Sequence, residues 1–152
     1  MLFTFLYLLS IVVWIGSVSF FSLIVAPTLF KSFPQDEAGK VVAALFPPYF
    51  RLGTIAGTLS LVCLILQSFR TLSFPAGRLT LIVLMLAATL FNSTHVYPKA
   101  RGLREEIATT IDETLKPTLQ EEFQRTHRTS VFLNGAVLVM GILLIYLQIS
   151  AS

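Results

Sequence analysis

The sequence predicts an all-α fold, an integral membrane four-helix bundle. Three observations lead to this prediction. Of the 152 residues, 55% are apolar and only 12% are charged, which is about half the charged fraction of a soluble domain. The mean hydropathy is +0.78. The charged residues also lie in short segments that separate four long uncharged runs, so residues 1–152 are interpreted as a single four-span membrane domain.

Each uncharged run is long enough to cross a bilayer as a helix, because a span needs about 20 apolar residues for about 30 Å of hydrocarbon. Backbone groups in lipid must form their hydrogen bonds within the segment, which favours helices. The first run is too long for a signal peptide and no basic residue precedes it, and Pro27 is expected to end its helix. The predicted spans are about 2–26, 50–69, 79–97 and 129–149.

The three predicted loops differ in length and pattern. Loop one has apolar residues at helical spacing over residues 36–46, which predicts an amphipathic helix lying in the membrane interface. Loop two, residues 70–78, contains proline and glycine and is expected to form a tight turn. Loop three, residues 98–128, repeats an apolar residue every four positions. This pattern predicts a helical loop, with one helix over about 99–115 and a second from near Pro117 into span four.

Lysine and arginine are distributed unequally between the two ends of the predicted bundle. Loops one and three, which share one side of a four-span protein, hold nine of the 11, and loop two holds Arg70 and Arg78. The positive-inside bias predicts a multi-pass protein of the cell (inner) membrane, with loops one and three cytoplasmic and both termini outside. The net charge of +3 reflects these flanking residues, and no nucleic-acid partner is expected.

Span two carries a face of small residues: Gly53, Ala56, Gly57 and Ser60. The two glycines form a G-x-x-x-G pair, which lets helix backbones approach closely in lipid. The face is expected to pack helices within one chain. The alternative is a seam with a second copy or another membrane protein, so the expected partners are the lipid bilayer and, on that alternative, a homo-oligomer or membrane protein partner.

Polar side chains within a membrane span favour a functional interpretation, because they are costly to bury in lipid. Spans three and four each carry such residues on one helical face. Loop three joins these two spans, so the two faces lie at one membrane level and predict a ligand- or partner-binding site at the cytoplasmic side. The predicted site residues are Asn92, His95, His127, Ser130 and Asn134, covered by Tyr49 and Arg51 of loop one.

The residue types in the spans exclude several chemistries. No acidic residue lies in any predicted span, which argues against a carboxylate-bridged di-iron site and against a serine hydrolase triad. Cys63 is the only cysteine and does not suffice for a thiolate metal site. No catalytic residue and no cofactor is therefore predicted. His95 and His127 stay weak candidates as ligands of haem or a divalent metal.

Three functions are compatible with this set of residues. The favoured one is a membrane protein without evident catalytic chemistry that binds a partner or small ligand between spans three and four. A small transporter or channel-like oligomer would pass a proton or solute along the asparagine and histidine face. A haem- or metal-binding membrane component would use the two imidazoles.

Four motifs in order resemble the transmembrane protein 205-like family, a bacterial four-helix domain of unknown function. Span three contributes Asn92 and Pro98, and residues 45–50 read L-F-P-P-Y-F, close to the L-F-P-x-Y-F signature of that family. The resemblance implies a four-helix membrane protein without an established enzymatic activity, and His95 lies outside the pattern. The remaining matching residues are Trp14, Gly16, Phe20, Phe21, Val25, Pro27 and Phe30 in span one, and Phe123, His127, Ser130 and Asn134 in span four.

Overall fold

The computed structural model describes residues 1–71 and 74–150, and within these ranges every regular element is a helix. Two of the connections are π-helical turns, Phe21–Val25 and Asn92–Val96, so the chain passes through them without leaving the helical path. The six α-helices are α1 (Leu2–Phe20), α2 (Ala26–Ser32), α3 (Gln35–Thr71), α4 (Ala76–Phe91), α5 (Tyr97–Thr109) and α6 (Lys116–Ser150).

Four continuous helical rods result, because the π turns join α1 to α2 and α4 to α5. In the described part of the chain the four rods are 31, 36, 34 and 35 residues long and apolar enough to cross a membrane. This indicates a multi-pass membrane protein and agrees with the predicted four-helix bundle. At 1.5 Å per residue the rods are about 45–55 Å long, well above the roughly 30 Å of a bilayer core.

The surplus length of the rods lies at one end of the bundle. The uncharged run of α3 starts after Arg51, that of α6 starts after Arg128, and that of the third rod stops before Lys99. The helical residues beyond these charges therefore project past the hydrocarbon on the same side. We refer to them together as the cap: α2, residues 35–49 of α3, α5, and residues 116–128 of α6.

The helices form a closed ring around an apolar core. The first helix, α1, packs most extensively on α3, and the contacts of α3 with α4, α4 with α6 and α6 with α1 complete the ring. At the end opposite the cap, Arg78 donates a 2.6 Å hydrogen bond to Gln148, and the Arg70 guanidinium lies 4.8 Å from the centroid of the Phe3 ring. The largest fully buried side chains are Trp14, Tyr7, Leu64, Ile82, Met85, Leu144, Asn92 and Ser60.

Both π turns precede a proline by two residues, and this corrects the expectation that Pro27 ends the first helix. A proline lacks the N–H of the α-helical bond and its ring clashes with the carbonyl four residues earlier. The N–H of Ala26 instead bonds the carbonyl of Phe21, five residues back, and Tyr97 bonds Asn92 in the same way before Pro98. The wider turn relieves the clash, so each helix resumes beyond its proline.

The same local sequence surrounds both turns. Residues 20–27 and 91–98 share the pattern F-x-S-x-x-V-x-P, and each stretch lies at the cap end of the first helix of its hairpin. The two hairpins, α1–α3 and α4–α6, thus carry a π turn of similar sequence at corresponding positions. The second turn has Asn92 where the first has Phe21, so only the second hairpin places a buried amide there.

The amphipathic stretch of loop one is helical, but it is not a separate interfacial helix. It forms the first turns of α3, which runs without interruption through Pro47 and Pro48. Ala38 and Val42 are buried against the protein, whereas Val41 and Leu45 are 41% and 38% exposed. The stretch therefore forms part of α3 and of the cap and keeps part of its apolar face exposed.

The first helix of loop three and the turn of loop two are both shorter than predicted. The helix of loop three ends at Thr109 instead of near 115, and Pro117 occupies the first turn of α6, where a proline is tolerated. The Asp112 carboxylate accepts hydrogen bonds from the hydroxyl and the N–H of Thr114, which competes with helix formation and holds the pKa of this carboxyl below its usual range. In loop two only residues 74–75 are described outside helices, while Leu72 and Ser73 lie outside the described residues.

Candidate functional site

A network of polar side chains lies between α3, the second π turn and α6. Asn92 opens the π turn and is fully buried. Its Nδ2 donates to the Oδ1 of Asn134 and to the backbone carbonyl of Ser130, both at 3.3 Å. The Tyr49 hydroxyl donates to the same Asn134 Oδ1 at 3.3 Å. The structure thus brings together four of the predicted site residues in one network that links three segments of the bundle.

Two buried polar atoms next to this network form no hydrogen bond within the described part of the chain. They are the Oδ1 of Asn92 and the indole Nε1 of Trp14. The Asn92 side chain uses its amide donors and leaves its acceptor unused, while Trp14 has an unused donor. Buried polar groups without a partner are uncommon in folded proteins, so the centre of the bundle holds unused hydrogen-bonding capacity of both kinds.

The small residues of span two face α1 within the same chain. Gly53, Ala56, Gly57 and Ser60 are all buried, and the Trp14 ring packs directly on the two glycines. A Cβ at residue 57 would lie 2.6 Å from Cη2 of Trp14. The hydroxyls of Ser60 and Ser10 are 2.7 Å apart. The two glycines of α3 therefore leave the space that the Trp14 ring fills.

A cavity of 780 Å³ lies in the cap, between the start of α3, α5 and the start of α6. His127 is half-buried and lines this cavity, and its ring stacks on Phe123 with a centroid distance of 6.2 Å. Apolar side chains and polar or charged side chains both contribute to its lining. Its apolar lining includes Phe30, Val42, Phe46, Ile107 and Phe123, and its polar lining includes Gln35, Asp36, Arg101, Arg104, Gln120, Glu121, Gln124 and Arg128.

A cluster of aromatic rings separates the cavity from the polar network. Phe46 lines the cavity and contacts Phe21, Phe50 and Tyr97 at centroid distances of 5.2, 5.3 and 5.6 Å. Tyr49 stacks on Phe21 at 4.8 Å and reaches the network with its hydroxyl. The L-F-P-P-Y-F motif therefore serves both features, with one ring turned to the cavity and one hydroxyl turned to Asn134.

The charges that line the cavity are only partly neutralised. The Arg101 guanidinium pairs with Glu105 at 2.8 Å, and Glu121 pairs with Arg125 at 2.6 Å. Arg104 donates to the backbone carbonyl of Asp36 at 3.1 Å, which leaves its charge without a counter-ion.

Arg128 forms no hydrogen bond or ion pair with any described residue. Arg104 and Arg128 thus face the cavity against one unpaired carboxylate, that of Asp36. A positive charge excess remains at this wall.

The structure places His95 and Arg51 away from the predicted site, which corrects their expected convergence. His95 is exposed, stacks on Phe91 at 5.2 Å and lines a separate groove of 540 Å³ with Lys99 and Glu122. The reason is the π turn: its wider winding rotates a side chain three residues after Asn92 further away than an α-helix would. Arg51 is exposed and lines neither cavity.

The two imidazoles proposed as weak metal or haem ligands therefore line different cavities. Among residues 1–71 and 74–150, no group of three or more histidine, cysteine, aspartate or glutamate side chains is placed to hold a metal ion. Tyr97, Arg104 and Arg128 line the cavity, but they were not predicted from the sequence. Their spacing along α5 and α6 does not indicate that α3 extends far enough to cover them.

Comparison with known proteins places the chain in a family. The family model DUF4149, described as a domain of unknown function, matches residues 9–109. An uncharacterized protein of Aquifex aeolicus (strain VF5) is 36% identical over 127 residues, which are 84% of this chain and 82% of that protein. No solved structure matches the chain. The match extends over α1 to α5, including both π turns and most of the cap. The chain belongs to the DUF4149 family of domains of unknown function.

Proposed function

We propose that the protein is a binding protein of the membrane that holds a small amphiphilic ligand in the cap cavity. The observation that carries the proposal is the cavity itself, whose lining combines aromatic rings with basic and amide side chains. Its volume of 780 Å³ lies within the range of about 300–1,000 Å³ that is typical of small-molecule sites. Such a mixed lining suits a molecule that has both an apolar and a polar part.

The position of the cavity supports an amphiphilic ligand. The uncharged run of α3 begins after Arg51, and the cavity is lined by residues 35–46 of the same helix. The cavity therefore lies at or just beyond the membrane surface. Phe30, at the end of the first rod, contributes to its apolar wall. A molecule that enters from the bilayer keeps its apolar part near the membrane while its polar end meets the cap.

We also propose an orientation of the protein in the membrane. Eight of the 11 lysine and arginine residues lie in the cap and Arg51 borders it, which favours a cytoplasmic cap and both termini outside in the cell (inner) membrane. Of the span-four residues that resemble the transmembrane protein 205-like motif, Phe123 and His127 line the cavity and Asn134 belongs to the polar network.

A pair of tryptophan substitutions on α5 tests the proposal. Ala100 lines the cavity, whereas Ala108 is exposed on the same helix and does not line it. Ala100→Trp is expected to fill the cavity and displace its ligand, and Ala108→Trp serves as the matched control. Native mass spectrometry of protein released from membrane nanodiscs would count the bound small molecules.

We expect wild type and Ala108→Trp to retain a bound amphiphile that Ala100→Trp lacks. Equal retention by all three proteins, or no retention by wild type, would overturn the proposal. Circular dichroism would verify that the helical content of Ala100→Trp matches that of Ala108→Trp before the comparison is made.

A further inference from the structure

We infer that the ligand of the cap cavity is an anionic phospholipid whose phosphate is held between Arg104 and Arg128. This inference rests on the proposed function and specifies the chemical class that the cavity selects. The two guanidinium groups come from α5 and α6, so a phosphate placed between them links two cap helices that both line the cavity.

The charge distribution at the cavity favours an anion. Arg101 and Glu121 also line the cavity but are paired with Glu105 and Arg125. The lining charges outside these two pairs are the positive charges of Arg104 and Arg128 and the negative charge of Asp36. A guanidinium group presents a planar set of donors that matches phosphate oxygens, and such charge-assisted bonds are roughly twice as strong as neutral ones.

The start of α3 holds the Arg104 guanidinium at the cavity. A Cβ at residue 39 would overlap the guanidinium carbon and nitrogens of Arg104, so Gly39 leaves the room in which the group lies. Arg104 also donates to the Asp36 carbonyl at 3.1 Å. The side chain is thereby held across the cavity wall by α3, and a glycine and a backbone acceptor fix it instead of a counter-ion.

The rest of the lining fits the other parts of a phospholipid. Gln35, Gln120 and Gln124 offer amide groups that can bond hydroxyl groups of a headgroup such as glycerol. Phe30 and Phe123 offer apolar contacts in the same cavity. A free phosphate would use the arginines but leave the apolar lining unused, and this difference separates the two sources of the same anion in an experiment.

The experiment compares lipids on purified full-length protein by native mass spectrometry in detergent. Phosphatidylglycerol and phosphatidylcholine of equal chain length are offered at equal concentration, and glycerol 3-phosphate is offered separately. Arg128→Gln removes one of the two arginines proposed to hold the phosphate, and Arg51→Gln removes an exposed guanidinium that lines neither cavity. The second variant is the matched control for overall charge.

We expect wild type and Arg51→Gln to prefer phosphatidylglycerol over phosphatidylcholine by about tenfold, and Arg128→Gln to lose that preference. A preference that survives in Arg128→Gln, or that is absent in wild type, would overturn the inference. If glycerol 3-phosphate displaces the lipid at similar concentration, the site takes a soluble phosphate and the inference of a lipid is wrong.

The Ala100→Trp variant separates the two proposals. If it abolishes binding of both lipids while Arg128→Gln changes nothing, the cavity binds an amphiphile without selecting an anion. The proposed function then stands and only the inference on the headgroup fails.

Discussion

The Tyr97 hydroxyl donates a 3.0 Å hydrogen bond to the backbone carbonyl of Ala43. In an α-helix this carbonyl would accept the N–H of the residue four positions later, but that residue is Pro47, which has none. Tyr97 therefore replaces the backbone donor that the proline removes, and it does so from the start of α5. This contact supplies the hydrogen bond that Pro47 removes from α3, and it connects both hairpins at the base of the cap.

The first prediction concerns this replacement. Tyr97→Phe removes the donor and leaves the Ala43 carbonyl unbonded, so we expect unfolding in detergent to become about 1–2 kcal/mol easier. In a Pro47→Ala background the helix regains its own donor, and the same substitution is then expected to have little effect. Thermal or denaturant unfolding of the four proteins gives the coupling energy. A coupling energy near zero would show that Pro47 and Tyr97 act independently.

The second prediction concerns the glycines beneath Trp14. A Cβ at residue 57 would lie 2.6 Å from Trp14 and 2.9 Å from Leu86 Cδ1, and a buried indole has little freedom to move. We expect Gly57→Ala to destabilise the bundle by about 1–3 kcal/mol, and Gly57→Leu to do so more strongly.

Gly135 is the matched control, because a Cβ there would meet nothing within 4 Å. Gly135→Ala is expected to be neutral or slightly stabilising through helix propensity. Circular dichroism is the appropriate measurement, since Trp14 fluorescence would respond to the substitution itself. An unchanged melting temperature for Gly57→Leu would contradict the packing of this face on α1.

The third prediction concerns the polar network. Asn134→Ala removes the acceptor shared by Tyr49 and Asn92, so the Tyr49 hydroxyl loses its partner and Asn92 keeps only the Ser130 carbonyl. Tyr49→Phe removes only one donor and leaves Asn134 bonded to Asn92. We expect about 1–2 kcal/mol of destabilisation for Asn134→Ala and less than about 1 kcal/mol for Tyr49→Phe, as interhelical bonds in membranes are individually weak. The reverse order of the two melting temperatures would refute this network.

The spans could be predicted from sequence because lipid excludes charge, and the uncharged runs mark where each helix crosses. The extension of the helices could not be predicted in this way. The continuation past Pro27 depends on a π turn, and the continuation past Pro47 depends on a hydroxyl 50 positions away on Tyr97. Local rules for proline place a helix end at both positions, and tertiary contacts override them.

The predicted site was likewise predictable from the sequence only in part. Asn92, Ser130 and Asn134 meet as expected, because antiparallel neighbours place residues near a shared loop at the same level. His95 does not join them, since the extra residue of the π turn changes the rotation of every side chain after Asn92. The helical wheel used on the sequence assumes uniform winding. The cap cavity was missed for a related reason, because it requires α3 to extend beyond the membrane.

The fourth prediction separates the two histidines. His127 lines the cap cavity and His95 lines a different groove, so His127→Ala is expected to lower lipid occupancy about fivefold and His95→Ala to leave it unchanged. The bundle is expected to fold in both variants, since neither imidazole is fully buried. Native mass spectrometry with the same lipids gives the occupancy. Equal losses in both variants would place the ligand outside the cavity.

The fifth prediction concerns orientation. The nine-to-two distribution of basic residues puts the cap in the cytoplasm and the end that carries Arg70 and Arg78 outside. Single cysteines at Ala76 and Ile111, which are both exposed and lie at opposite ends of the bundle, can be labelled in intact cells with a thiol reagent that does not cross membranes.

We expect the reagent to modify residue 76 and to reach residue 111 only after the cells are opened. Replacing Cys63 with serine gives a background without thiols, although this residue is buried already and its side chain is 2% exposed. Labelling of residue 111 but not residue 76 in intact cells would reverse the orientation. The cavity and its arginines would then face outward, and the anionic lipids that the site selects would have to come from the outer leaflet.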